Sequence, residues 1–125
     1  MGAGDSGQPQ ALWEAVQSLA PDAPLGSSTE GRPICGVRVG DAGAPATLLV
    51  VAGVHGDEPA SVAGVVELLE RLRDGTLVAA RPFWLIPALN PDGLLGGRKN
   101  NARDVDLNRN FPARNFTTQD RKSVV

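Results

Sequence analysis

The sequence predicts one α/β domain built around a parallel or mixed sheet. Three stretches carry that expectation. Thr47 to Val54, TLLVVAGV, is an unbroken apolar run, which fits a strand covered on both faces. Val62, Val65, Val66, Leu69 and Leu72 then recur at helical spacing up to Arg73. Phe83 to Leu89 is a second apolar run of strand length. Strand, helix and strand in that order imply a right-handed crossover.

The other elements follow in chain order. Leu12, Trp13, Val16 and Leu19 give one apolar face to a helix from Gln10 to Leu19, ended by Pro21. Asp22 to Gly31 is a connection rich in Gly, Ser and Pro. From Arg32 to Val39, Cys35, Val37 and Val39 alternate with Gly36 and Arg38, as in a strand with one buried face. Asp41 to Pro45 is a turn. Pro59 suits the first turn of the following helix, where its missing N–H costs nothing. Asn90-Pro91-Asp92-Gly93 reads as a turn. No internal repeat is visible.

Composition narrows the function. A chain of 125 residues is one domain at most, and 42% hydrophobic residues exclude a disordered chain. A net charge of −2 gives no electrostatic basis for binding nucleic acid or an anionic membrane surface. The single cysteine, Cys35, neither requires an oxidising compartment nor excludes one. No run reaches the length of a membrane span, and MGAGDSGQPQ lacks the basic and apolar regions of a secretory signal. The expected location is therefore cytoplasmic. Gly2 followed by Ser6 fits the short N-myristoylation pattern, a match treated as chance.

The only histidine, His55, lies at the carboxyl end of the first apolar run, and Glu58 follows it by three residues. Ligands of open α/β sheets bind at such strand ends. Imidazole nitrogen and carboxylate oxygen are both good zinc donors, and a short loop can turn both toward one ion. Asp57 could serve in place of Glu58, and a surface histidine beside ordinary acids would give the same pattern. A second stretch is more specific. From Asn90 to Asn110 the chain gathers asparagines, arginines, a lysine and aspartates, ending in DLNRNFP from Asp106 to Pro112. Arginine offers a planar fork for a carboxylate, with asparagine beside it as donor and acceptor.

The set H-G-D-E, N-P-D-G and D-V-D-L-N-R-N-F-P, with G-R-P-I at Gly31 to Ile34, resembles the zinc carboxypeptidase family. N-A-R-D-V-D-L-N-R-N-F-P-A-R-N-F is most similar to its bacterial murein peptide amidase branch. The resemblance covers roughly Ser27 to Phe116. It implies a mixed, largely parallel sheet with flanking helices, incomplete at the C-terminus. It implies Zn2+ as cofactor, with His55 and Glu58 as the first two ligands and Asp106 as the carboxylate that orients His55. Asn108 and Arg109 match the pair that grips the free carboxylate at the end of a peptide substrate. The family's oxyanion-stabilising arginine falls on Lys99 without a gap and on Arg98 with one inserted residue. Arg98 is preferred, because a forked donor suits that task.

The family also uses a second histidine and a general-base glutamate farther along, and neither has a match here. The resemblance thus implies a zinc-dependent hydrolase cutting an amide bond near a free C-terminal carboxylate. A D-glutamyl–diaminopimelate bond of a cell-wall peptide is the substrate implied by the murein branch. The 125-residue chain itself is expected to be the front part of such an enzyme, with an uncovered apolar sheet face, and to be inactive. A desuccinylase or aspartoacylase type of deacylase shares H-x-x-E and D-L-N-R and is one alternative. A truncated, non-catalytic relative is another. The expected organisation is a helix and linker over 1–26, the catalytic-domain part over 27–116, and a non-native or disordered tail over 117–125. One DNA string encoding Asp120 to Val125 and a stop matches a widely used sequencing adapter, which motivates the last assignment.

Overall fold

The computed structural model describes residues 8–20 and 24–109. Pro21, the Asn110 to Phe116 part of the last motif and the expected tail lie outside the described residues. Helix α1 spans Gln8–Leu19, starting two residues before the expected position. Its Trp13 and Val16 are buried. Helix α2 spans Ala60–Arg73 and buries Val62, Val66 and Leu69, three residues of one stripe. Pro59 is its N-cap residue. Trp13, Val16, Val62, Val66, Ala88 and Leu94 form a single core cluster. Full burial of a side chain such as Val62 stabilises by roughly 1.5–3 kcal/mol.

The stretch expected to be one strand from Arg32 to Val39 is two. Strand β2, Pro33–Ile34, pairs antiparallel with β1, Gly26–Ser27. Strand β3, Val37–Val39, belongs to a different sheet. The break falls at Cys35–Gly36. A Cβ on Gly36 would come within 2.8 Å of the Leu25 side chain, so the chain turns where Leu25 needs the space.

The main sheet adds β4, Leu49–Val51, and β5, Phe83–Ile86, in the order β3-β5-β4. Strands β4 and β5 are parallel across α2, as the sequence order implies, and β3 pairs antiparallel with β5. The β4–β5 ladder runs on past the strand end. Ala52 donates to Ile86 O, Leu89 to Ala52 O and Asn90 to Gly53 O, at 2.9, 3.0 and 2.9 Å.

Register assigns the two faces. Val37, Leu85 and Val50 lie in one row, and Leu85 is fully buried. Arg38, Trp84 and Leu49 lie in the next row, on the opposite face. There Leu49 is 56% exposed and Trp84 39%. Among the described residues the outer face of β4 is bare, in line with the uncovered apolar sheet face expected of this chain, although the unbroken run by itself reads as a strand covered on both faces. The apolar run reports a strand suited to burial on two sides, and only one side is filled here.

The N-P-D-G segment is also more than a turn. It opens helix α3, Pro91–Gly96. Asn90 is the N-cap, its side chain accepting from Gly93 N at 3.0 Å, and Pro91 occupies the first turn. Gly97, at φ 64°, ends the helix in the left-handed conformation.

Candidate functional site

The parallel ladder delivers Gly53 and Val54 to one edge of the sheet. Gly53 has φ 69°, and a Cβ there would meet Val62 Cγ2 at 2.9 Å and Ala88 Cα at 3.1 Å. Glycine lets the chain turn out of β4 against the core. Ser61 Oγ accepts from Gly53 N at 3.0 Å, tying this turn to the start of α2. His55 to Glu58 then closes a tight turn, with Glu58 N donating to His55 O at 3.2 Å. Both side chains line a cleft of about 290 Å³ with Val51, Val54 and Ala60.

His55 is held from both sides. Its Nδ1 lies 2.9 Å from Glu58 Oε2, and its Nε2 lies 3.0 Å from Asp106 Oδ1. It is the Glu58 carboxylate that reaches the ring, although Asp57 had the same expectation from sequence. The hydrogen bond that His55 donates to Asp106 raises the His55 pKa above its ordinary value; burial opposes this, and Glu58 reinforces it. Burial pushes the Asp106 carboxyl up, but the bonds from His55 and Asn108 N outweigh it, so its pKa lies below the usual carboxylate value. Each carboxylate favours a proton on the ring nitrogen that it faces, so the metal-free ring is biased toward imidazolium, and an ion taken at Nδ1 would replace the proton there while Asp106 keeps the one on Nε2.

Asp106 returns to the site through a compact loop. Asn101, buried, accepts from Arg103 N and Val105 N at 3.0 and 2.9 Å, and its own N–H donates to Val105 O. Asp104 takes φ 61°, the one left-handed non-glycine among the described residues. After Asp106 a short 3-10 turn, Leu107–Arg109, buries Leu107 and exposes Asn108 and Arg109. Asn108 N donates to Asp106 Oδ1 at 3.0 Å, so one oxygen holds both the imidazole and the start of this turn.

The two candidate cations point differently. Lys99 Nζ is 3.8 Å from Asp106 Oδ2, on the side of His55. Arg98 Nη2 is 3.9 Å from Glu30 Oε2, toward the β1–β2 hairpin. His55, Glu58, Asp106 and Lys99 thus form one continuous polar row, with Asn108 and Arg109 adjacent in sequence.

Three residues with large structural roles had no assigned role from sequence. Asp92, 2% exposed, accepts from Ser28 Oγ, Glu30 N and Arg32 Nη1 at 2.7, 3.0 and 2.9 Å. Burial pushes its carboxyl up, yet these partners together hold its pKa below the usual value. It ties G-R-P-I to N-P-D-G. Asn90 and Gly56 join the His55 turn to the loop of Lys99. The signal for Asn90 was available: Asn followed by Pro is also a helix start.

The donor set suits zinc in part. An imidazole nitrogen and a carboxylate converge, and a second carboxylate fixes the imidazole from behind. Among the described residues no group of three or more His, Cys, Asp or Glu side chains is placed to hold a metal ion. No helix among them is long and apolar enough to cross a membrane.

The chain is similar to several known proteins. The chain is 38% identical over 97 residues to murein peptide amidase A of Escherichia coli (strain K12), covering 74% of this chain and 38% of that protein. It is 31% identical over 108 residues to carboxypeptidase SOL1 of Arabidopsis thaliana, covering 77% and 22%. Murein-tripeptide amidase from Escherichia coli O157 superposes with a TM-score of 0.57 at 33% identity, over 74% of this chain and 37% of the other. A metallo-carboxypeptidase from Burkholderia cenocepacia gives 0.66 at 30% identity, over 82% and 32%. The chain thus spans well under half the length of these relatives. The sequence model described as zinc carboxypeptidase matches residues 10–124, and the chain belongs to the zinc carboxypeptidase family.

Proposed function

We propose that this chain carries the first part of a zinc-dependent site that hydrolyses an amide bond near a free C-terminal carboxylate. The observation that carries the reading is His55 seated between two carboxylates, one on each ring nitrogen. His55 Nδ1 and Glu58 would hold the ion. Bound zinc would polarise the scissile carbonyl and lower the pKa of an attacking water. Asp106 keeps the proton on Nε2, which leaves Nδ1 for the ion, and it raises the basicity of the ring.

Of the two cations, Lys99 is supported as the group that meets the developing oxyanion, because it faces the row and Arg98 faces Glu30. Asn108 and Arg109 would grip the substrate carboxylate. The Asp106 bond to Asn108 N couples that grip to the metal ligand. Likeness to murein peptide amidases supports a cell-wall peptide as substrate.

Activity is proposed for the whole protein that contains this segment. The 125-residue chain alone would hold zinc weakly, since catalytic zinc sites normally use three protein ligands. It would not turn over peptides. The test compares this chain with the protein read through its full genomic frame, each given Zn2+ and a peptide ending in a free carboxylate. The full protein should cleave, and chelation or His55→Ala should abolish cleavage. Cleavage by the full protein that survives both treatments would refute the reading.

A further inference from the structure

We propose that Asn90 is a positioning residue whose carboxamide fixes the spacing between the His55 turn and the Lys99 loop. A helix N-cap needs only an acceptor, and Asn90 Oδ1 supplies it to Gly93 N. Ser, Thr or Asp would do that equally well. What the cap does not need is the NH2 group, and both of its hydrogens go elsewhere. Nδ2 donates to Val54 O at 3.3 Å and to Lys99 O at 3.4 Å. The Val54 carbonyl belongs to the peptide group that carries the His55 N–H. The Lys99 carbonyl belongs to the peptide group leaving Lys99. One planar side chain, 2% exposed, therefore holds the backbone beside each of the two site residues.

A second bond closes the junction. Gly56 N also donates to Lys99 O, at 3.2 Å. The surfaces are in backbone contact: a Cβ on Gly56 would lie 2.1 Å from Gly93 C and 2.3 Å from Arg98 O. A Cβ on Gly93 would lie 2.4 Å from Asn90 Nδ2. Asn90 reaches the backbone of both loops with one amide group, so a change in its donors is transmitted to both. The functional consequence rests on reading His55 as a metal ligand; the geometric one does not.

Asn90→Ser tests this, because serine keeps a cap acceptor and lacks the two-donor reach. Val16→Ala, in α1 and remote from the junction, serves as a control that also loses core stability. The single histidine gives one set of imidazole NMR signals. In the zinc-free chain, Asn90→Ser should move the His55 imidazole and Gly56 amide signals, and Val16→Ala should leave them in place. Addition of Zn2+ alone should then show about tenfold or more weaker uptake at His55 in Asn90→Ser, the scale typical of outer-shell changes. Unmoved His55 signals in Asn90→Ser, or equal movement in Val16→Ala, would overturn the proposal. If the parent takes up no Zn2+, the metal reading fails, and the zinc-free signals still decide the positioning role. If Asn90→Ser does not fold, the parent decides: its Asn90 NH2 protons should exchange slowly and show cross-peaks to the Gly56 amide. Fast, averaged NH2 signals would overturn the proposal.

Discussion

Gly56 and Gly64 should respond to the same substitution with opposite signs. At Gly56 an added Cβ meets Gly93 C at 2.1 Å, Arg98 O at 2.3 Å and Gly93 O at 2.4 Å. Comfortable carbon contacts lie at about 3.5–4.0 Å, and all three obstacles are backbone, so no rotamer relieves them. The two loops would have to part by more than about 1 Å, which breaks the Gly56 N–H bond to Lys99 O as well. Overpacking of this kind costs about 1–3 kcal/mol and a lost hydrogen bond about 0.5–1.5 kcal/mol, so Gly56→Ala should destabilise by about 3 kcal/mol. Gly64 is an exposed position inside α2 with nothing within 4 Å of its added Cβ. Gly64→Ala should therefore stabilise by up to about 1 kcal/mol through helix propensity. Urea unfolding of the two variants and the parent, with a common m-value, reads both effects. If Gly56→Ala lies within about 1 kcal/mol of Gly64→Ala, the contact described between the two loops is wrong.

Three further outcomes follow from the charged groups. Asp106→Asn removes the main cause of the raised His55 pKa, so NMR titration should show that pKa falling; an unchanged value refutes the pairing. The sign with pH is fixed by the shifts. The raised His55 stabilises fully below its unfolded value of about 6.5, and this contribution fades as pH climbs through its folded value. The lowered Asp92 and Asp106 stabilise above about 3.9, and that contribution is lost as pH drops through their folded values. The metal-free chain should thus melt at lower temperature in acid below about pH 4, and zinc uptake should weaken as His55 gains its proton. Asp92→Ala removes three bonds to a buried carboxylate and leaves Arg32 paired only with exposed Glu30. Because Arg32 keeps contact with solvent, the cost should be about 2–3 kcal/mol by thermal or urea unfolding, and a loss under about 0.5 kcal/mol would refute the anchoring role.

Much of the site was legible because its residues sit in short contiguous motifs. His55 and Glu58 occupy one turn, and Asp106 opens a run whose composition exceeds what a loop requires. The helix over Val62, Val66 and Leu69 was equally clear, since periodicity along α2 records a face. What escaped lies in contacts between distant segments. Asp92 meets Ser28 across 64 positions and Asn90 meets Val54 across 36, separations no local pattern encodes. The split between β2 and β3 depends on Leu25 packing over Gly36, again a non-neighbour. The bare face of β4 was expected from the family resemblance and not from the apolar run itself. Apolar residues record which surface is suited to burial and carry no mark of whether a neighbour is present.

That bare face also makes the protein's two tryptophans optically distinct. Trp13 is 6% exposed within the core, whereas Trp84 stands 39% exposed on the outer row beside Leu49. Iodide, a quencher confined to water, should reach Trp84 emission and spare that of Trp13. The quenchable fraction of the fluorescence then reads the occupancy of the sheet's outer face. Any surface that comes to rest on Leu49 and Trp84 would protect the redder component and leave the bluer one unchanged.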